Sequence, residues 1–193
     1  MLAGVIAAMA CAALAVQPLL GEGSYLENLG GMFRFFTIWG NAAGCVIMAL
    51  VALGKPVSRA VMAALTTMLA IIALIYWGLL SGDHHPVGYD RITNQFHHTI
   101  VPISIIIWWL RYTPPSPAIL PLIPTIMIPP LSYGAFALAL GQTTGFYAYF
   151  FVDLPALGWG WFALNNFVLA LFFAAFGAAL AWVKNKLGFF RGG

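Results

Sequence analysis

Phe33-Arg34-Phe35-Phe36-Thr37-Ile38-Trp39-Gly40-Asn41 opens an apolar run that continues through Ala42–Gly54. The run is long enough to cross a bilayer, whose hydrocarbon core takes about 20 apolar residues in a helix. In a chain with only 7% charged residues, it places Arg34, Thr37 and Asn41 at spacings of three and four. A helix with 3.6 residues per turn puts those three on one face. Lipid cannot satisfy polar atoms, so such a face is expected to point into the protein.

The rest of the chain repeats the pattern. Its 193 residues suit a single domain, residues 1–193. An apolar content of 62%, an aromatic content of 15% and a mean hydropathy of +0.93 exclude an ordinary soluble globule. Six apolar segments follow one another: Leu2–Leu20, Met32–Gly54, Ala60–Leu80, Arg91–Leu110, Ala118–Gly141 and Gly158–Val183. The sequence therefore predicts an all-α integral membrane protein of six transmembrane helices joined by short loops. Leu2–Leu20 lacks the basic start of a signal peptide and is expected to stay as a span. Ala118–Gly141 carries Pro121, Pro124, Pro129 and Pro130. Proline removes a backbone donor and bends a helix, so this fifth helix is expected to be kinked or broken. Tyr76, Trp77, Trp108 and Trp109 stand where an interfacial aromatic belt would put them.

The net charge of +3 comes from only eight Lys and Arg at segment ends, which makes nucleic acid a poor partner. Lys55, Arg59, Arg111, Lys184, Lys186 and Arg191 flank one set of loops, and only Arg34 and Arg91 flank the other. The positive-inside rule then places both termini in the cytoplasm. The Ala- and Gly-rich composition and short loops suggest a bacterial inner membrane. Cys11 and Cys45 fall in the middle of apolar segments and read as two small buried hydrophobes. They make no metal or redox motif.

Arg91, Asn94 and His98 repeat the three-and-four spacing of Arg34, Thr37 and Asn41. Thr37, His98, Asn165 and Asn166 all fall roughly 8–12 Å below the outer helix ends at 1.5 Å per residue. A shared depth predicts a polar pocket in the outer half of the bundle, covered by the aromatic loop Gln142–Leu157 with Tyr147 and Tyr149. Intramembrane His and Asn are costly and suggest function, although the same residue types also hydrogen-bond helices together. A hydroxyl beside an imidazole is the minimum equipment for acyl transfer. Adjacent His97 and His98 project about 100° apart, and His84-His85 with Asp83 read as solvated loop residues. No metal and no cofactor are expected.

Three stretches carry a resemblance: Arg34-Phe35-Phe36-Thr37, Asn94-Gln95-Phe96-His97-His98-Thr99-Ile100-Val101-Pro102 and Thr144-Gly145-Phe146-Tyr147-Ala148-Tyr149-Phe150. Taken in order on a six-helix frame, they resemble the androgen-induced-gene family of membrane proteins. That family includes the androgen-dependent tissue-factor-pathway-inhibitor-regulating protein and many bacterial relatives. Its animal members hydrolyse fatty acid esters of hydroxy fatty acids with a Thr and a His inside the membrane. The resemblance implies Thr37 as nucleophile and His98, rather than His97, as base. It departs where the animal proteins carry an acid shortly after the Thr and this chain has Gly40-Asn41.

The expected enzyme is thus a threonine-type hydrolase of lipid esters entering from the bilayer. The acyl chains would lie along Phe33, Phe36, Trp39 and the fifth segment. Arg34, Trp39, Asn41, Asn94, Tyr147, Tyr149 and Asn165 are the expected substrate contacts. Asn41, Asn94 or Asn165 would serve the oxyanion; the sequence places no acid to orient His98, and Asp153 or Asp90 is the only candidate for it. The alternative is a membrane protein that binds or transports lipids or other small molecules without turning them over.

Overall fold

The computed structural model describes residues Met1–Gly188; Arg191 of the basic tail lies outside them. Regular structure among these residues is helical throughout. Helix α1 spans Leu2–Val16 and ends in a 3₁₀ turn at Gln17–Leu19. The short α2, Tyr25–Met32, starts at a Ser24–Glu27 capping box. It meets α3, Phe36–Ala52, at a bend of 100°. Helix α4 covers Arg59–Ile75 and runs on through a π turn at Tyr76–Leu80. Helix α5, Asp90–Gln95, joins α6, Val101–Tyr112, through a second π turn at Phe96–Ile100. Helices α7, Ile123–Thr144, and α8, Leu154–Leu187, complete the bundle, with a 3₁₀ turn at Phe150–Val152 between them.

Four helical stretches are long and apolar enough to cross a membrane: Leu2–Leu19, Arg59–Leu80, Leu120–Thr144 and Leu154–Leu187. A fifth is counted if α2 and α3 form one bent span. Asp90–Tyr112 is a continuous helical run as well, but Asn94, Gln95, His97 and His98 dilute its hydropathy. The fold is therefore all-α with four to five apolar spans.

The expected polar stripe on the second segment needs correcting. Helix α3 begins at Phe36, with extended Phe35 as its cap, so Arg34 lies in the preceding turn and not on the Thr37–Asn41 face. The fifth segment is not broken either. Helix α7 is continuous past Pro129 and Pro130, neither of which can donate to the carbonyl one turn back, while Pro121 and Pro124 sit at or before its first turn. Proline costs little there, because the first N–H groups of a helix have no intrahelical partner. The break falls instead in α8 at Gly158, whose φ of 71° favours glycine.

Small residues decide how closely the helices approach. Gly40 and Gly44, four apart on α3, face α4 and α6. A Cβ on Gly40 would run into Ile72 Cδ1, and one on Gly44 would come within 3.0 Å of Ile105 Cδ1. This is the small-residue interface typical of membrane helices, where close backbone approach replaces the hydrophobic effect. Helix α1 packs antiparallel on α3, with Gly4 facing Ala52. That pairing also corrects the reading of the cysteines. Cys11 and Cys45 form a disulfide across it, with Cα atoms 5.5 Å apart, and Cys11 is exposed. Their separation of 34 residues gave no sign of this, because only the helix pairing brings them together.

The two ends of the bundle differ. At one end Ala63, Ala64, Leu122, Ile126 and Ala181 pack α4, α7 and α8 tightly together. Arg59 donates to Pro115 O, Asn185 to Ser116 O, and Lys184 to the carbonyls of Trp109 and Leu110. The basic residues gather there. Toward the other end the same three helices splay, and Phe36, Tyr133 and Phe173 wedge between them. The splay leaves a cavity of about 280 Å³ walled by α3, α4, α7, α8 and the segment around Tyr149–Val152.

Candidate active site

Thr37 is the second residue of α3 and lines the cavity. Its Oγ1 stands 3.3 Å from His98 Nε2, within the reach of a hydroxyl hydrogen bond that tightens on substrate binding. His98 belongs to the π turn between α5 and α6, and its Nδ1 lies 3.1 Å from the carbonyl oxygen of Asn94. A carbonyl only accepts, so Nδ1 carries the proton and Nε2 presents its lone pair to Thr37. The ring stacks on Tyr76, centroids 3.7 Å apart and planes 17° from parallel. Asn94 also donates from Nδ2 to the Tyr76 hydroxyl at 2.7 Å, and that hydroxyl lies 3.2 Å from His84 Nδ1. One residue thus holds the imidazole through its backbone and the stacking partner through its side chain.

The π turn has a local cause. Val101 N–H bonds to Phe96 O, five residues back. In the same register the next donor would be Pro102, which has no N–H. The His97 carbonyl is thereby left without a backbone partner, and Asn41 Nδ2 on α3 fills the gap at 3.0 Å. Asn41 also donates to Thr37 O at 2.9 Å and is fully buried. One amide therefore ties the turn carrying the imidazole to the turn carrying the hydroxyl. π turns recur at functional sites because they re-aim side chains at such a cost.

Tyr149 closes the site from the segment before α8. Its hydroxyl oxygen accepts the Phe36 N–H at 3.1 Å and stands beside the hydroxyl and amide of Thr37. No carbonyl or carboxylate among the described residues accepts its proton. The Thr37 N–H is one of the amides at a helix start that no intrahelical carbonyl takes up. The Tyr149 hydroxyl and the Thr37 N–H thus lie together beside Thr37 Oγ1. Tyr133 donates to Arg34 O at 2.9 Å and packs against Phe36 and Trp39.

The other expected contacts are placed differently. The Arg34 guanidinium lies 5.2 Å over the Phe146 ring, outside the cavity wall. Trp39 donates from Nε1 to Phe33 O, meets Tyr133 edge-to-face and Phe136 at a tilt, and does not line the cavity. The Tyr147 ring covers Gly141 and its hydroxyl accepts from Gln142. Asn165 donates to Phe151 O at 3.1 Å, anchoring the lid, while its neighbour Asn166 reaches the cavity. The amides of Asn41, Asn94 and Asn165 are thus all engaged as struts. Asp153 caps α8 through Ala156 N, and Asp90 accepts from Gln17, so neither orients His98. His97 is buried with both ring nitrogens unpartnered and turns away from His98. Among the described residues no group of three His, Cys, Asp or Glu is placed to hold a metal ion.

Sequence reasoning placed Asn166 at the depth of the pocket and Tyr76 in an interfacial belt without giving either a role, and it passed over Tyr133 and the backbone amide of Thr37. Pro102 is the one legible signal, since a proline within a helix announces a freed carbonyl about one turn back. The cavity itself is apolar and opens sideways, because Leu131 and Ala135 on α7 line it and are also exposed on the outside of the bundle. No protein-family model, curated protein or solved structure matches this chain.

Proposed function

We propose that the protein is an intramembrane hydrolase of lipid esters, with Thr37 as nucleophile and His98 as base. The observation that carries this is the Thr37 Oγ1–His98 Nε2 pair at 3.3 Å, its tautomer set by Asn94 O, at the wall of an apolar cavity open to the bilayer. Fatty acid esters of hydroxy fatty acids are the substrates that the resemblance suggests. The six-span topology with cytoplasmic termini belongs to the same proposal. It sets the basic end inward and the Thr37–His98 end in the outer half of a bacterial inner membrane.

The chemistry follows from the donors and acceptors in place. An ester slides in past Leu131 and Ala135 with one chain in the cavity. His98 Nε2 takes the Thr37 proton as Oγ1 forms a bond to the ester carbonyl carbon. The oxyanion forms next to the Thr37 N–H, at the positive end of α3, and the Tyr149 O–H. His98 then returns its proton to the departing alcohol oxygen as the C–O bond breaks, leaving an acyl-threonine. Water enters, gives a proton to Nε2 and attacks the acyl carbon. Collapse of the second oxyanion breaks the bond to Oγ1 as His98 returns its proton to that oxygen, which frees the acid and restores the threonine.

Purified protein in detergent, assayed on hydroxy-fatty-acid esters, tests the assignment. Thr37→Ala and His98→Ala are each expected to abolish turnover while lipid still binds. Undiminished hydrolysis in both variants would refute the mechanism. Binding without turnover in the wild-type protein, at unchanged affinity in Thr37→Ala, would establish the lipid-binding alternative.

A further inference from the structure

One polar side chain on the cavity wall has no part in this chemistry. Asn166 lies on α8, across the cavity from α3, two helical turns from Phe173 toward the lid. Its Nδ2 donates to Phe162 O at 2.8 Å. A carbonyl can only accept, so the amide cannot be flipped, and Oδ1 must be the atom turned the other way. Oδ1 faces Gly134 on α7, 3.7 Å from where a Cβ would stand there. No donor among the described residues reaches it. Leu169, Ala170, Phe162 and Leu131 line the same cavity.

The other hydroxyls around the cavity are accounted for. Tyr76 meets Asn94 and His84, Tyr133 donates to Arg34 O, and Thr37 and Tyr149 flank the reacting position. Among the described side chains that line the cavity, Asn166 Oδ1 is the acceptor left uncommitted, in a wall that is mostly hydrocarbon. A polar atom left bare in such a wall costs free energy. A ligand pocket uses a few such atoms to fix orientation and exclude near-relatives.

We propose that Asn166 is a specificity residue which accepts a hydrogen bond from a hydroxyl partway along the ligand's hydrocarbon chain. The preferred ligands are lipids whose chain in the cavity is hydroxylated. The cavity's size bounds that chain. A cavity of about 150 Å³ holds the six carbons of benzene, so about 280 Å³ holds roughly ten to twelve. Gly134 is the matching feature on α7, since hydrogen in place of a side chain leaves room beside Oδ1 for the hydroxyl oxygen.

This inference rests on the hydrolase assignment only for its most direct assay. Purified protein would be given p-nitrophenyl esters of a ten-carbon acid, either unsubstituted or with one hydroxyl moved along the chain. The wild-type protein is expected to prefer one hydroxyl position by roughly tenfold in kcat/KM, the worth of a well-made neutral hydrogen bond. Asn166→Leu is expected to bring that ratio close to one. A flat position profile in the wild-type protein, or an unchanged ratio in Asn166→Leu, overturns the proposal. If no ester turns over, the hydrolase assignment falls. Competition binding of the same hydroxylated and plain ten-carbon acids then decides the role of Asn166 by the same ratio.

Discussion

Asn41→Leu separates a catalytic scaffold from ordinary helix glue. The wild-type amide makes two hydrogen bonds from Nδ2, to Thr37 O at 2.9 Å and His97 O at 3.0 Å, while Oδ1 is buried with no partner. Removing it leaves Thr37 O with its own helical partner, so the material loss is the bond to His97 O. Interhelical hydrogen bonds within membranes average about 0.6 kcal/mol and reach about 1.7 kcal/mol. Against that loss stands the removal of a buried, unpaired oxygen, worth about 1–3 kcal/mol of desolvation. Leucine fills a similar volume, and volume-conserving core changes cost less than about 1.5 kcal/mol. The terms largely cancel, and the expected change in unfolding free energy is within about 1 kcal/mol of zero.

Activity should behave otherwise. Asn41 is the one side chain that bonds both the turn of Thr37 and the turn of His98. Without it the two turns keep only packing and the 3.3 Å Thr37–His98 contact that must give way during the reaction, and misplacement by about 1 Å costs a factor of about 10² in rate. The assay pairs unfolding in mixed micelles, followed by circular dichroism, with ester turnover per folded molecule. Near-neutral stability with a ten- to hundredfold fall in kcat is expected. A stability loss above about 3 kcal/mol with full activity in the folded fraction would show Asn41 to be glue alone. No change in either quantity would refute the strut altogether.

Three further outcomes follow from the same geometry. Tyr149→Phe removes one of two donors beside Thr37 and should lower kcat by about 10²–10³ with KM little altered; equal losses in kcat for a remote control such as Tyr25→Phe would refute it. Gly141→Ala puts a methyl into the rigid Tyr147 ring, so the segment leading to Tyr149 must move, at about 1–3 kcal/mol of stability; an unchanged melting temperature and KM would refute the packing. Replacing Cys11 and Cys45 with alanine opens a link spanning 34 residues and should lower the unfolding free energy by about 2–4 kcal/mol, read by thermal denaturation with and without reductant on the wild-type protein.

The pairing of Thr37 with His98 was legible because each is a polar residue in an apolar background; the depth counted from Met32 did not hold for Thr37, which is the second residue of α3. What orients His98 was not, since a backbone carbonyl has no residue letter. Asp153 and Asp90 drew attention as the available acids, yet each is used locally, one as a helix cap and one on Gln17. The helix start at Phe36 was equally hidden, because Arg34 fits the spacing of a polar stripe and neither a proline nor a side-chain cap marks the start; the 100° bend is a tertiary outcome. The four prolines misled in the opposite direction. Two fall where a helix has spare donors, and the real interruption belongs to Gly158, one glycine among 20 in the chain.

The asparagines carry the larger lesson about the site. In an apolar bundle each side-chain amide is wanted by some unpaired backbone carbonyl, and the helix irregularities create those carbonyls. Pro102 frees His97 O for Asn41, and Phe151 O in the lid takes up Asn165. Once the amides are spent in this way, oxyanion donation falls to groups that cost the fold nothing extra. These are an N–H at a helix start, unpaired in any case, and a tyrosine hydroxyl whose oxygen is already anchored by Phe36 N–H. Placing the nucleophile in the first turn of α3 supplies both. A threonine deeper in the helix would have neither a free amide beside it nor the positive helix end behind it. On the proposed mechanism, the position of Thr37, two residues inside α3, is thus itself part of how a weak nucleophile is made serviceable.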